Sequence, residues 1–265
     1  MPTPSVIDQY RFSDAINRRS WDQNYFLDQF NVQPNTSKVG GGAATGTAGD
    51  NNILYTQHGA YEWNVIGTQT ILAPKLDSVS GLNFGMNLVQ DAAVAGDGIE
   101  LCLGQSPQCP ATFVIGSSAA FYMRAQFMVQ DASGTNPLIL GFRKVQAFDA
   151  TLTNYTDFAM IGIEGTANPN TIFIDTQIGS AAHTQVNTTQ TWADSTSLTT
   201  GVHYLGVFVD AQGVTTFQID GQPPVVTSAY TFTTGLQVMP FIRFTQAADI
   251  TTFVNCNWLE IGFQQ

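Results

Sequence analysis

The stretch FYMRAQFMV, Phe121 to Val129, decides the fold class. Phe121, Met123, Ala125, Phe127 and Val129 alternate with Tyr122, Arg124, Gln126 and Met128. A period of two places successive side chains on opposite faces of an extended chain, so this segment reads as a strand with one buried face. Leu82, Phe84, Met86 and Leu88 repeat the pattern against Asn83, Gly85 and Asn87. Further strands are expected at 138–143, 158–164, 171–177, 202–209, 214–219, 236–244 and 253–263.

Turn chemistry joins them. Asp-Ala-Gln-Gly at 210–213 and Asp220-Gly221 are hairpin signals, which makes 202–209 and 214–219 antiparallel neighbours. Many strands with such turns and no convincing long helix indicate an all-β antiparallel sandwich of the jelly-roll kind. Pro240 lacks the N–H that a central ladder needs, so its strand is expected at an edge or at a bulge. Trp258 falls in the alternation of the last strand and is expected in the core.

Composition agrees. Charged residues make up 11% of the 265 residues, less than half the usual share of about 25%. Polar duty falls to Thr, Ser, Asn, Gln and Gly, which suit strand faces and turns. A chain of this length buries roughly 75% of its unfolded surface and needs no metal or disulfide to hold a core.

Residues 1–52 read as an extended N-terminal arm and linker, and 53–265 as one sandwich domain. Pro2 and Pro4 discourage a helix start. Arg18 and Arg19 beside Trp21, with Tyr25, Phe26 and Phe30, concentrate binding-type side chains in the arm, since Arg and Trp are frequent interface anchors. The Gly-rich run 40–49 has no Gly-Lys-Ser/Thr ending and is read as a connector, not a phosphate loop.

The net charge of −11, from 20 acidic and 9 basic residues, would repel a phosphate backbone, so no direct nucleic-acid partner is expected. The opening residues lack a basic start and apolar core, and no apolar run reaches the roughly 20 residues that span a bilayer. Neither a secretory signal nor a membrane partner is expected. Cys102 and Cys109 flank a possible hairpin tip, but a cytoplasmic site of synthesis disfavours a disulfide.

No catalytic residues emerge. A glycosidase needs two carboxylates about 5 to 9 Å apart, and Glu62, Glu100, Glu164 and Glu260, with Asp157 and Asp175, are dispersed; a solvated or hydrogen-bonded role is the preferred reading of each. His58, His183 and His203 have no metal-ligand spacing, and His203 reads as a strand-end residue. Gly49 to Asn52 and Asp91 to Asp97 hold oxygen ligands but not the density of a calcium loop, so no metal and no cofactor is expected. No nucleophile elbow is present. Among Trp21, Trp63, Trp192 and Trp258, Trp192 in the Thr-rich stretch 187–200 is the candidate for an exposed sugar-stacking ring.

The segment His203 to Gly221, an aromatic-led strand, a polar turn and a short strand ending in Asp-Gly, resembles a unit of concanavalin-like and laminin-G-like sandwiches. Gly141 to Phe148, Asn154 to Ile163, Val238 to Phe244 and Trp258 to Phe263 together resemble virion structural proteins of tailed phages, especially marine and cyanobacterial ones with a concanavalin-like jelly roll. The likeness covers about the C-terminal half. It implies a capsid decoration or cement protein that binds the major capsid protein or other virion proteins, as a homo-oligomer with a trimer favoured. It also implies location on the virion after assembly in the host cytoplasm. The alternative is a tail-fibre or receptor-binding glycan-recognition module; a polysaccharide depolymerase ranks last.

Overall fold

The computed structural model of the chain describes residues 25–29, 35–38, 45–46, 52–55, 60–67, 71–72, 75–76, 86–88, 95–103, 112–163, 170–179, 181–195, 200–246 and 254–264. Among them the helical content is a single 3-10 turn, Leu152–Asn154, and no helix is long and apolar enough to cross a membrane. The strand pairs are antiparallel.

The first sheet runs β18 (Tyr230–Thr231), β17 (Val214–Ile219), β16 (Val202–Val209), β11 (Phe121–Val129), β20 (Val254–Phe263), β8 (Met86–Asn87) and β7 (Lys75–Leu76), with β1 (Tyr25–Gln29) also paired to β20. The second runs β15 (Thr184–Thr191), β14 (Thr171–Gln177), β13 (Phe158–Ile163), β12 (Thr135–Lys144), β19 (Gln237–Gln246), β9 (Gly98–Cys102), β5 (Ala60–Ile66), β4 (Asn52–Tyr55) and β2 (Asn35–Lys38), with β10 (Phe113–Val114) on β19. β3 (Thr45–Gly46) and β6 (Ile71–Leu72) pair separately. Neighbours distant in sequence, such as β11 beside β20 and β19 beside β9, make this an all-β antiparallel jelly-roll sandwich, as the alternation predicts.

The alternating residues of β11 point inward as expected and meet the inner face of the second sheet. Phe121 stacks on Phe113 at 4.2 Å between ring centroids and meets Phe142 of β12 edge-on at 4.9 Å, so one aromatic group bridges the two layers. Leu140, Ile161, Ile174, Val207, Leu259 and Ile261 extend the same core. The hairpin of β16 and β17 forms as predicted. After β17 the chain reverses at Asp220 (φ 53°) and Gly221 (φ 76°), the left-handed pair that a type I′ turn requires.

Two expectations need correction. Pro240 lies in β19, which is central, between β12 and β9. Its carbonyl accepts from Leu103 N at 3.2 Å, just beyond the last paired residue of β9, Cys102. A strand residue directs N and C=O to the same side, so the missing N–H of Pro240 falls where the β9 ladder has already ended. Trp258 is half-exposed, not core: the register of β20 on β11 shifts between Gln126 and Phe127, so that Gln126 pairs with Trp258 and Phe127 with Cys256. Asn257 is the extra residue, and a bulge of this kind turns every later side chain to the other face. Within residues 1–52, read as arm and linker, β1 runs along β20 and β2 along β4.

Phe142→Ala should cost about 3–5 kcal/mol, the range for a large buried aromatic. Val225→Ser, at a position 77% exposed, should change stability by less than about 0.5 kcal/mol. Chemical denaturation followed by far-UV circular dichroism checks both.

Candidate functional site

The outer face of the second sheet is covered. The connector 145–157 between β12 and β13 packs over it, and Tyr155, with Val145 and Leu152, joins Cys102, Ile139, Phe158, Met160, Met239 and Phe241 in a second apolar cluster. At its centre lies Glu100 of β9, fully buried. Arg143 Nη2 donates to Glu100 Oε1 at 2.9 Å, Arg243 Nη1 to Oε2 at 3.3 Å, and the Tyr155 hydroxyl lies 3.0 Å from both oxygens. The same two arginines hold the connector: Arg143 Nη1 donates to Gln146 O at 2.9 Å, and Arg243 to Asp149 O at 3.0 Å and to Ala150 O. The Arg143 guanidinium also lies 4.2 Å from the Tyr155 ring centroid. Burial and the negative field of Glu100 push the Tyr155 hydroxyl well above the ordinary phenol range, which keeps it a proton donor.

Glu62 shares this face, two residues along β5 from Asn64, the register partner of Glu100. It is 1% exposed and both carboxyl oxygens are buried. Burial raises its pKa, against the lowering influence of Arg143 and Asn64 and with the help of Glu100. Asp175 of β14 is buried on the same face. Two carboxyl groups on neighbouring strands invite comparison with a glycosidase dyad, yet such a dyad must flank the scissile bond. Here Tyr155 and the connector fill the space over Glu100.

The other sequence candidates disperse. Asp157 accepts from Gly179 N at 2.9 Å and from the Thr156 hydroxyl at 2.7 Å, a turn role. His203 is a strand-end residue, its Nδ1 2.9 Å from Asp220 Oδ2. Trp192 is the clear correction: it is 1% exposed, inside the main core, with its ring 4.6 Å from that of His203, so it offers no face to a sugar. The Thr-rich stretch around it is partly strand, β15, and the chain turns the indole inward where Trp192 N donates to Asn170 O at 2.6 Å.

Cys102 is a buried cysteine. Cys109, Glu164, His58, Arg18, Arg19, Trp21 and Phe30 lie outside the described residues. Tyr25 and Phe26 lie in β1, opposite Gly262 and Ile261. Of the two calcium candidates, 49–51 and 91–94 are likewise outside. Among the described residues no group of three His, Cys, Asp or Glu side chains could hold a metal.

A second surface emerges on the outer face of the first sheet. Register puts Tyr122, Arg124 and Gln126 of β11 beside Phe208, Gly206 and Tyr204 of β16 and beside Gly262, Glu260 and Trp258 of β20. Tyr204 and Trp258 lie 5.8 Å apart by ring centroids, Tyr122 and Phe208 stack at 5.6 Å, and the Arg124 guanidinium sits 5.7 Å from both the Tyr122 and Trp258 rings. Glu260, nearly buried, pairs with Arg124 and accepts from the Tyr122 hydroxyl at 2.6 Å. Sequence reasoning missed this row because the bulge that exposes Trp258 is invisible locally. The available signal was Tyr122 and Arg124 on the polar half of the β11 alternation. It also missed Arg143, Arg243 and Tyr155, although a lone Arg within Leu138–Arg143 or Phe241–Phe244, otherwise apolar on both faces, is a mark of a buried ion pair.

No family model and no curated protein matches the chain. Solved structures similar to it include the carbohydrate recognition domain of Emp47p, at 16% identity and a TM-score of 0.48 over 77% of this chain and 89% of that one. The Ca2+/Man3GlcNAc-bound exoplasmic/lumenal domain of VIP36 is 12% identical with a TM-score of 0.45 over 77% and 84%. An endo-β-galactosidase from Clostridium perfringens that releases GlcNAcα1-4Gal is 10% identical with a TM-score of 0.45 over 90% and 62%. None of these names a phage protein. The sandwich architecture stands on the strand pairing itself, and the likenesses assign neither ligand nor chemistry.

Arg143→Ala should cost about 3–5 kcal/mol, because it leaves Glu100 buried against one remaining cation, and Tyr155→Phe about 1–3 kcal/mol for the lost donor; urea titration reads both. Glu62 gives a signed pH dependence. Its folded pKa lies above the unfolded value of about 4.3, so its contribution is fully present below that value and is lost as pH rises through the folded one. Glu62→Gln should therefore be more stable than the unaltered chain at neutral pH, with the gap closing below about pH 4. A gap independent of pH would contradict this assignment.

Proposed function

We propose that the chain is a non-catalytic structural protein of a tailed-phage particle, a decoration or cement protein that binds the major capsid shell. The observation that supports this reading is the closure of the second sheet. Glu62, Glu100, Arg143 and Arg243 are buried on its outer face, and the two arginines hold the connector over Glu100, which suits a rigid displayed body better than a site that must admit substrate. The virion-type sequence likeness between 121 and 263 supplies the setting. The acidic surface, at −11 overall, suits contact with protein rather than with packaged nucleic acid. Homo-oligomers, a trimer first, would give the avidity that a shell-binding protein uses.

A second reading, a glycan-recognition module of a tail or fibre, is favoured by one observation: the half-exposed aromatic row on the first sheet. Electron microscopy of purified particles, with copy number by quantitative mass spectrometry, separates the two. Many copies on the head support the decoration reading; location only at the tail tip, or absence from particles, overturns it.

A further inference from the structure

We propose that the aromatic row on the outer face of the first sheet binds a neutral oligosaccharide, with Tyr204 and Trp258 as one stacking surface, Tyr122 and Phe208 as the next, and Arg124, held by the buried Glu260, supplying hydrogen bonds between them. This inference rests on the glycan-recognition reading above and gives it a site.

The row is open. Tyr204 is 43% exposed and the Arg124 side chain 47% exposed, while Tyr122, Phe208 and Trp258 are partly exposed. Strand pairing with a fixed register holds the rings in place, so ordering them on binding costs little entropy. Gly206, opposite Arg124, leaves room for the Phe208 ring: a Cβ there would come within 2.8 Å of Phe208 Cε2. The bulge at Asn257 delivers Trp258 to this face, and Asn257 Nδ2 donates to Gln126 Oε1 at 3.0 Å while its own Oδ1 has no partner.

Charge and chemistry choose the occupant. Arg124 and Glu260 are the charged groups of the row and form an ion pair, so the surface is locally neutral and offers nothing to attract a uronate or sialate from a chain that is acidic overall. Among the residues whose exposure is described, the large exposed aliphatic ones, which a protein partner would use, are Ile178, Val214, Val225 and Val226, outside the row. Rings flanking a half-exposed guanidinium match a pyranose, whose C–H face packs on an aromatic ring while its hydroxyls hydrogen-bond at the rim. Two ring pairs on either side of one arginine suit a disaccharide or longer chain.

The test uses the full chain on an array of neutral and acidic oligosaccharides. Saturation-transfer NMR follows, with the best neutral glycan or, where the array is blank, with millimolar maltotriose, cellotriose and mannotriose. Tyr204→Ala and Trp258→Ala are compared with the unaltered chain, folding being checked by circular dichroism. Neutral glycans should bind in preference to acidic ones, and each variant should lose about tenfold or more in affinity, the effect of removing a binding anchor. Should Trp258→Ala fail to fold, Tyr204→Ala decides alone, since Tyr204 lies outside the core. Glycan binding that survives Tyr204→Ala would place the sugar elsewhere, leaving the glycan-recognition reading intact. No saccharide binding by the unaltered chain overturns both. A change of oligomeric state in light scattering on Tyr204→Ala, without an effect on glycans, would instead make the row an interface between copies and sink the proposal.

Discussion

Glu100 between Arg143 and Arg243 is the interaction around which the second sheet is arranged. The three residues come from adjacent strands β9, β19 and β12, and the arginines reach past the carboxylate to the backbone of the connector 145–157. Such a triad contributes less net stability than its charges suggest, because each group loses its hydration. Its effect is on specificity. A slip of one residue in β9, β12 or β19 would turn a guanidinium or the carboxylate into the apolar interior, where a lone charge is far more costly than a lost contact. The triad thereby sets register across three central strands and the path of the chain that covers them.

The two sheets consequently present different surfaces. The second is buried on both faces through its middle, apolar inward and mixed outward, so its titratable groups serve structure. The first is buried on its inner face, and although Met128, Asn255 and Glu260 on its outer face are also buried, that face keeps Tyr204, Trp258, Tyr122, Phe208 and the Arg124 side chain partly within reach of solvent. Recognition chemistry belongs on the surface that the fold leaves open, and on strands it is held more rigidly than on loops. β1 and β2 further show that the N-terminal part of the chain takes part in both sheets.

Local alternation made β11, β16, β17 and the Asp220-Gly221 turn legible, along with the inward set of Phe121, Met123 and Phe127. It passed over β5, β9 and β15, where the pattern fails for opposite reasons: residues 98–102 are buried on both faces, whereas 184–191 are mostly polar and exposed. It also inverted two tryptophans. Trp192, in a polar neighbourhood, is pulled into the core by the fold of β15, and Trp258, in an apolar alternation, is turned outward by one extra residue at Asn257.

What the sequence by itself determined is the all-β sandwich, its main strands and turns, and the dispersal of titratable residues along the chain. These follow from dihedral preference and a period of two, both properties of a few adjacent residues. What only the tertiary structure decided is which carboxylate is caged, why Pro240 is tolerated in a central strand, and which rings face water. Those depend on register between strands more than a hundred residues apart and on a connector laid over a sheet, and no local pattern encodes a partner that distant.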